Sequence, residues 1–169
     1  MIHVCPLSRL EETVAQSKAN WLLSLLSANM DMTRPAAILP EHHLHLVMHD
    51  IIEPQGDMTM PGEVHVRRLI DFARRWDGRQ PMVAHCYAGI SRSTASAYIA
   101  AAALAPQRDE VEMARTLRAL SPSATPNPRL IAVADMLLER KGRMIEAIRA
   151  IGRGADAYEG TPFAFPVEV

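Results

Sequence analysis

His85-Cys86-Tyr87-Ala88-Gly89-Ile90-Ser91-Arg92-Ser93 sets a cysteine and an arginine on either side of a glycine, with a hydroxyl directly after the arginine. The apolar run Pro81-Met82-Val83-Ala84 precedes it, and an alanine-rich helical pattern, Thr94 to Ala105, follows. Strand, tight loop, helix is the arrangement that aims backbone N–H groups at a bound anion. A thiol in the mouth of such a loop ionises readily, because those N–H groups, the helix N-terminus and Arg92 all favour its charged form. A thiolate facing a bound oxyanion points to nucleophilic attack on phosphorus.

Around this stretch, strands alternate with helices. Ile2 to Leu7 and Trp21 to Leu26 read as strands. His43 to His49 alternates Leu44, Leu46 and Met48 with His43, His45 and Val47, a period of two that predicts a strand ending near Asp50. Ser8 with Glu11 matches a capping box and predicts a helix from Arg9 to about Ala19. Val66, Leu69, Ile70 and Phe72 carry helical spacing through Glu63 to Trp76, and Asp109 can cap a helix reaching Leu120. Arg129 to Ile151 reads as one helix or two, with Gly142 as the weak point, while Asn29 to Pro40, Glu53 to Gly62 and Ser121 to Pro128 read as loops. The expected fold is α/β, with a small, mostly parallel central sheet of four to five strands flanked by helices. The loop after Val83 to His85 then lies at the carboxyl end of a strand, where such sheets bind ligands. Residues 1–151 form the single expected domain, and residues 152–169 read as a Gly/Pro-rich tail, either anchored by Phe163 and Phe165 or loosely ordered.

The chain has 169 residues, 49% of them hydrophobic and 22% charged, with a formal net charge of −1. That composition suits an ordinary globular domain and gives no bulk attraction to nucleic acid or anionic lipid. The apolar runs at Trp21–Ala28 and Ala95–Ala105 are too short to cross a bilayer, so no membrane partner is expected. Cys5 and Cys86 are the only cysteines, which fits a reducing cytoplasmic setting better than a disulfide framework. Met1 to Leu7 lacks the basic start and long apolar stretch of a signal peptide. His42, His43, His45 and His49 resemble a metal cluster in composition, but no matching Cys/His or carboxylate pattern accompanies them; they are read as strand histidines, with no metal or cofactor expected. Cys5 as a redox partner of Cys86 has no support in the sequence. The ten methionines read as core filler, and Arg74-Arg75 and Arg149 to Arg153 as solvated helix surface. Nothing fixes an oligomeric state, and a monomer is compatible with everything above.

The His-Cys-x-x-Gly-x-x-Arg-Ser pattern resembles the phosphate-binding signature of cysteine-dependent protein tyrosine phosphatases, especially the compact dual-specificity branch. His45-Leu46-Val47-Met48-His49-Asp50 is similar to the strand that ends at the general-acid aspartate of these enzymes. Ala124-Thr125-Pro126-Asn127 resembles the Pro-Asn segment behind their phosphate loop. The resemblance spans about His42 to Leu138, covers the first 40 residues loosely and the tail not at all.

The resemblance implies the tyrosine-phosphatase-like fold and a phosphomonoesterase acting on a phosphorylated protein or a small aryl phosphate. Cys86 would be the nucleophile. The N–H groups of Tyr87, Ala88, Gly89, Ile90, Ser91 and Arg92 would hold the phosphate, with the Arg92 fork on two of its oxygens. Ser93 would assist departure of the sulfur, and His85 and Asn127 would support the loop from behind. Asp50, at the end of a readable strand, is the expected proton donor. Asp57 is its rival and Glu53 a more distant one. The interior of the loop adds no lysine, which disfavours phosphoinositides. Two other classes remain open: a catalytically silent phosphate-binding module, and a rhodanese-like sulfurtransferase, whose cysteine loops usually lack the His-Cys start. An arsenate reductase of the low-molecular-weight phosphatase type fits less well, because Cys86 is in mid-chain.

Overall fold

A computed structural model describes residues 1–167, so the last two positions of the tail, 168 and 169, lie outside the described residues. Five strands form one sheet in the order β3-β2-β4-β1-β5: β1 Ile2–Pro6, β2 Trp21–Leu26, β3 His43–Val47, β4 Met82–Cys86 and β5 Phe163–Phe165. The first four run parallel, and β5 lies antiparallel on β1 with Phe165 opposite Ile2. The expected α/β class and strand number are therefore present. β2 and β4 are buried at every position, as suits strands covered on both faces, whereas β3 at the edge alternates buried leucines with outward His43, His45 and Val47.

Two apolar layers sandwich the sheet. On one face, Val4, Leu23, Leu25, Leu46 and Ala84 pack against helices α2 Glu63–Arg75, α3 Arg92–Leu104, α4 Glu110–Leu120, α5 Pro128–Leu137 and α6 Arg143–Ile151. On the other, Cys5, Leu22 and Val83 pack against Leu10 and Val14 of α1 Leu10–Ser17. α3 is buried almost all round, which explains its run of alanines: a helix enclosed by sheet and neighbouring helices has room only for small side chains. Cys5 and Cys86 fall in opposite layers, so the sheet itself separates the two thiols. Burial pushes the Cys5 thiol up to about 12, which leaves it protonated and inert.

Several local expectations give way to tertiary partners. Ser8 does not cap α1. It sits in a 3-10 turn, Leu7–Arg9, and its hydroxyl donates to Glu159 in the tail at 2.7 Å. Asp109 does cap α4, accepting from the Glu112 N–H at 2.8 Å. The long C-terminal helical stretch divides: α5 ends at Leu137, Gly142 takes a φ of 88°, and the Asp135 carboxylate accepts from the Gly142 and Met144 N–H groups to open α6. α3 starts at Arg92, two residues earlier than its alanine run suggests, so Arg92 and Ser93 belong to its first turn.

The tail departs most from a loosely ordered terminus. After α6, Arg118 donates to the carbonyls of Ile151, Gly152 and Ala124 and turns the chain back toward the sheet. The Gly154 N–H then bonds Thr125 Oγ1 at 3.0 Å, and the Ala155 N–H bonds the Pro122 carbonyl at 2.9 Å. A Cβ on Gly154 would stand 2.5 Å from Ser123 backbone, so only glycine seats here. Phe165 is fully buried in the main core, which makes the fifth strand part of the body rather than an appendage. None of the described helices is long and apolar enough to cross a membrane. Phe165→Ala is expected to lower stability by about 3–5 kcal/mol in urea unfolding, the range for truncating a buried phenylalanine; a loss below about 1 kcal/mol would detach β5 from the cooperative unit.

Candidate active site

The loop from Cys86 to Ser93 joins the end of β4 to the start of α3. Gly89 takes a φ of 69°, and a Cβ there would stand 2.6 Å from the Pro6 nitrogen, so the position needs glycine on two counts. What shapes the loop is the fate of its carbonyls. The Tyr87 carbonyl accepts from the Leu7 N–H at 3.0 Å, the Ala88 carbonyl from Gly160 at 2.7 Å, the Ile90 carbonyl from Thr125 at 2.9 Å, and the Ser91 carbonyl from Ala95 at 3.0 Å and Asn127 at 3.3 Å. Thr94 Oγ1 adds a bond to the Ile90 carbonyl. A trans peptide carries its C=O and N–H on opposite sides. Each carbonyl turned out to the surroundings therefore turns the next N–H inward, those of Ala88, Gly89, Ser91 and Arg92. Among the described residues, the N–H groups of Ala88, Gly89, Ile90 and Ser91 have no acceptor. Inward donors at the N-terminus of a 13-residue helix form an arrangement suited to an anion.

Cys86, the last residue of β4, opens this loop; it is almost fully buried, with its Sγ 3.1 Å from Ser93 Oγ. Arg92 is also buried; its Nη1 donates to the Met48 carbonyl at 2.7 Å and to Ser27 Oγ at 3.3 Å. The buried Arg92 Nε has no partner among the described residues. A guanidinium anchored at one end, with a buried donor unmatched at the other, is suited to an incoming oxyanion.

Asp50, just beyond β3, reaches the loop. Its Oδ1 accepts from Ser91 Oγ at 2.7 Å and from Asn127 Nδ2 at 2.8 Å. Asn127 in turn caps α5, its Oδ1 accepting from the N–H groups of Arg129 and Leu130. Asp50, Ser91 and Asn127 line a cleft of about 340 Å³, closed on its other side by Arg153 to Ala157 of the tail. Asp57 and Glu53 are exposed on the loop that follows Asp50 and do not line this cleft.

His85 is fully buried behind the loop. Its Nε2 meets Ser24 Oγ at 2.7 Å, and Ser24 Oγ meets His43 Nε2 at 2.9 Å. A hydroxyl has one proton, so one imidazole gives and the other takes. Burial holds His85 down to about 3, with His43 adding to the effect; burial, then His45, holds His43 down to about 4. Both rings stay neutral around pH 7, and neither supplies a proton to the reaction there. Each of the four strand-region histidines is engaged: His42 stacks on Trp21 at 4.3 Å, His43 bonds Ser24, His45 stacks on His43, and His49 Nδ1 accepts from the Thr59 N–H.

Sequence reasoning brought Cys86, Arg92, Ser93, Asp50 and Asn127 to attention, and they converge here. It missed Ser24 and His43 behind His85, Met48 and Ser27 behind Arg92, and Gly160 behind the loop. Ser24 carried a signal: a hydroxyl in a strand otherwise made of Trp and Leu, buried on both faces, requires buried partners. Gly160, in a tail with no periodic pattern, carried none.

No family model matches the sequence, and no curated protein does. Solved structures do match in fold. The structure of DUSP15 aligns with a TM-score of 0.62 at 18% identity, over 89% of each chain. The PTP-2 phosphatase of Cydia pomonella aligns with a TM-score of 0.61 at 15% identity, over 80% of this chain and 84% of that one. PTPMT1 in complex with PI(5)P gives 0.57 at 13% identity, over 85% of each chain.

Because His85 and His43 hold protons more weakly folded than unfolded, the unfolded chain binds protons first as pH falls below the ordinary histidine value of 6.5. Stability is expected to drop between pH 7 and about 4, read as a falling urea midpoint. His43→Gln, which can keep a bond to Ser24, is expected to flatten that slope; an unchanged slope would show that His43 does not contribute to it. By its likeness to these solved structures, the chain has the fold of the dual-specificity and tyrosine phosphatases.

Proposed function

We propose that this chain is a phosphomonoester hydrolase that works through a cysteinyl-phosphate intermediate, with phosphotyrosine or other aryl phosphates as its substrate class and dual specificity within its reach. The observation that carries this reading is the outward anchoring of the loop carbonyls around Cys86, which turns the following N–H groups inward, beside a buried Arg92 Nε with no partner among the described residues. In the first step the Cys86 thiolate attacks phosphorus while the bond from phosphorus to the leaving oxygen breaks. Asp50, held by Ser91 and Asn127, gives its proton to that oxygen. The inward N–H groups and Arg92 stabilise charge on the equatorial oxygens. In the second step Asp50, now a carboxylate, takes a proton from water as the water oxygen attacks phosphorus. Inorganic phosphate leaves, and the sulfur departs as a thiolate supported by Ser93 Oγ at 3.1 Å.

Asp50 is favoured over Asp57 as the proton donor because its carboxylate is tied to the loop and lines the cleft. A buried cysteine at one end of the loop and a carboxyl group bonded to Ser91 of the same loop also favour an enzyme over a silent binding module. PTPMT1 has been captured with PI(5)P, but this loop interior, Tyr87, Ala88, Ile90 and Ser91, brings no lysine to meet further phosphates. The substrate proposed is therefore a single phosphoryl group on a protein or small aryl compound, met in the cytoplasm.

Turnover of para-nitrophenyl phosphate tests the reading. Cys86→Ser is expected to abolish it. Asp50→Asn is expected to lower kcat by about 10²–10⁴, the usual worth of a positioned proton donor, and to remove the loss of activity on the basic side of the pH profile. Asp57→Asn is expected to leave both unchanged. If Asp57→Asn instead takes the loss, the donor is misassigned; thiosulfate turnover without phosphatase turnover would favour a sulfurtransferase.

A further inference from the structure

We infer that Gly160 is a positioning residue for the phosphate loop, and that the C-terminal segment from Arg153 to Gly160 is therefore a working part of the site. The inference rests on the phosphatase reading above and adds to it a residue far from the motif. Its basis is the single backbone bond from the Gly160 N–H to the Ala88 carbonyl, at 2.7 Å the shortest of the backbone bonds that anchor the loop carbonyls. Ala88 C=O and Gly89 N–H are two ends of one rigid peptide plane. Fixing the carbonyl outward fixes the Gly89 N–H inward, toward the seat above Cys86. Gly89 itself, with a φ of 69°, lacks a side chain to restrain that plane, so the restraint must come from outside.

The approach is too close for any other residue. A Cβ on Gly160 would stand 2.8 Å from the Gly89 oxygen and 3.4 Å from its carbonyl carbon. The segment is held on both sides of this contact. Upstream, Gly154 and Ala155 bond Thr125 and Pro122, and Thr125 in turn anchors the Ile90 carbonyl. Downstream, Glu159 accepts from Ser8 Oγ at 2.7 Å and β5 pairs with β1. Leu7, the neighbour of Ser8, anchors the Tyr87 carbonyl. The tail thus braces the loop directly at Ala88 and touches the two other segments that brace it.

The test uses tungstate as an oxyanion probe together with para-nitrophenyl phosphate turnover. Gly160→Ala is expected to weaken tungstate binding and raise KM roughly tenfold, the loss of about one hydrogen bond to a charged group, with a smaller change in kcat. It should also slow alkylation of Cys86 by iodoacetate at neutral pH. Phe72→Ala serves as the control for stability alone: it opens the core under α2, away from the bonds that hold the tail and the loop, and is expected to leave tungstate affinity within about twofold. Amide exchange on the wild-type chain gives a second reading that needs no variant. If the Gly160 bond favours the anion-binding form of the loop, tungstate must in turn favour the Gly160 bond, and exchange at Gly160 slows on saturation. Equal affinity in Gly160→Ala and wild type, equal losses in both variants, or no change in Gly160 exchange would overturn the inference. A wild-type chain that neither binds tungstate nor turns over phosphate would overturn the phosphatase reading itself.

Discussion

The constraint on which this site depends is that backbone carbonyls buried behind a tight loop need donors. For the loop to offer its N–H groups to an anion, its carbonyls must face away, and there they would be buried and unmatched unless other segments supply donors. The chain supplies them from widely separated places: Leu7 after β1, Thr125 and Asn127 before α5, and Gly160 before β5. The sheet order follows the same need. β1 lies beside β4, which brings Leu7 to the loop, and β5 lies beside β1, which brings the tail back past Ala88. Positive partial charge is concentrated by geometry that the rest of the fold holds in place, with no need for an excess of basic residues in a chain of net charge −1.

The same economy runs through the side chains. Asn127 performs two tasks with one amide: its oxygen caps α5 and its nitrogen holds Asp50. Ser91 offers its carbonyl to the fold and its hydroxyl to Asp50. Arg92 is tied at Nη1 to Met48, so the strand that presents Asp50 also fixes the guanidinium. A shift of β3 against β2 would therefore disturb Asp50 and Arg92 together. The bonded chain from His85 through Ser24 to His43 spans β4, β2 and β3 and opposes such a shift, at the cost of holding two imidazoles neutral.

Much of this is legible in the sequence. Cys86, Gly89, Arg92 and Ser93 sit within one short segment, and local geometry fixes their relation, so the segment could be read alone. The alternation of Leu44 and Leu46 with His43 and His45 gave β3 and placed Asp50 at its end, because strand side chains repeat every two residues whatever surrounds them. The sequence could not rank Ser8 as a cap against Ser8 as a partner of Glu159, since the competing acceptor lies 151 positions away. Nor could it separate Cys5 from Cys86 across the sheet, because that depends on how β1 and β4 align.

What the amino-acid order determined by itself is the chemistry on offer: a thiol, a guanidinium, a glycine able to turn, a hydroxyl after them, and a carboxyl group at a strand end. These are local properties, set by residue type and short-range backbone preference. What only the tertiary structure decided is which distant groups complete the seat: the Gly160 and Thr125 amides, the Met48 carbonyl, and the Ser24 hydroxyl behind His85. Backbone donors and acceptors are the same in every residue and leave no mark in the sequence. Where they point is settled when strands pair and the chain closes on itself.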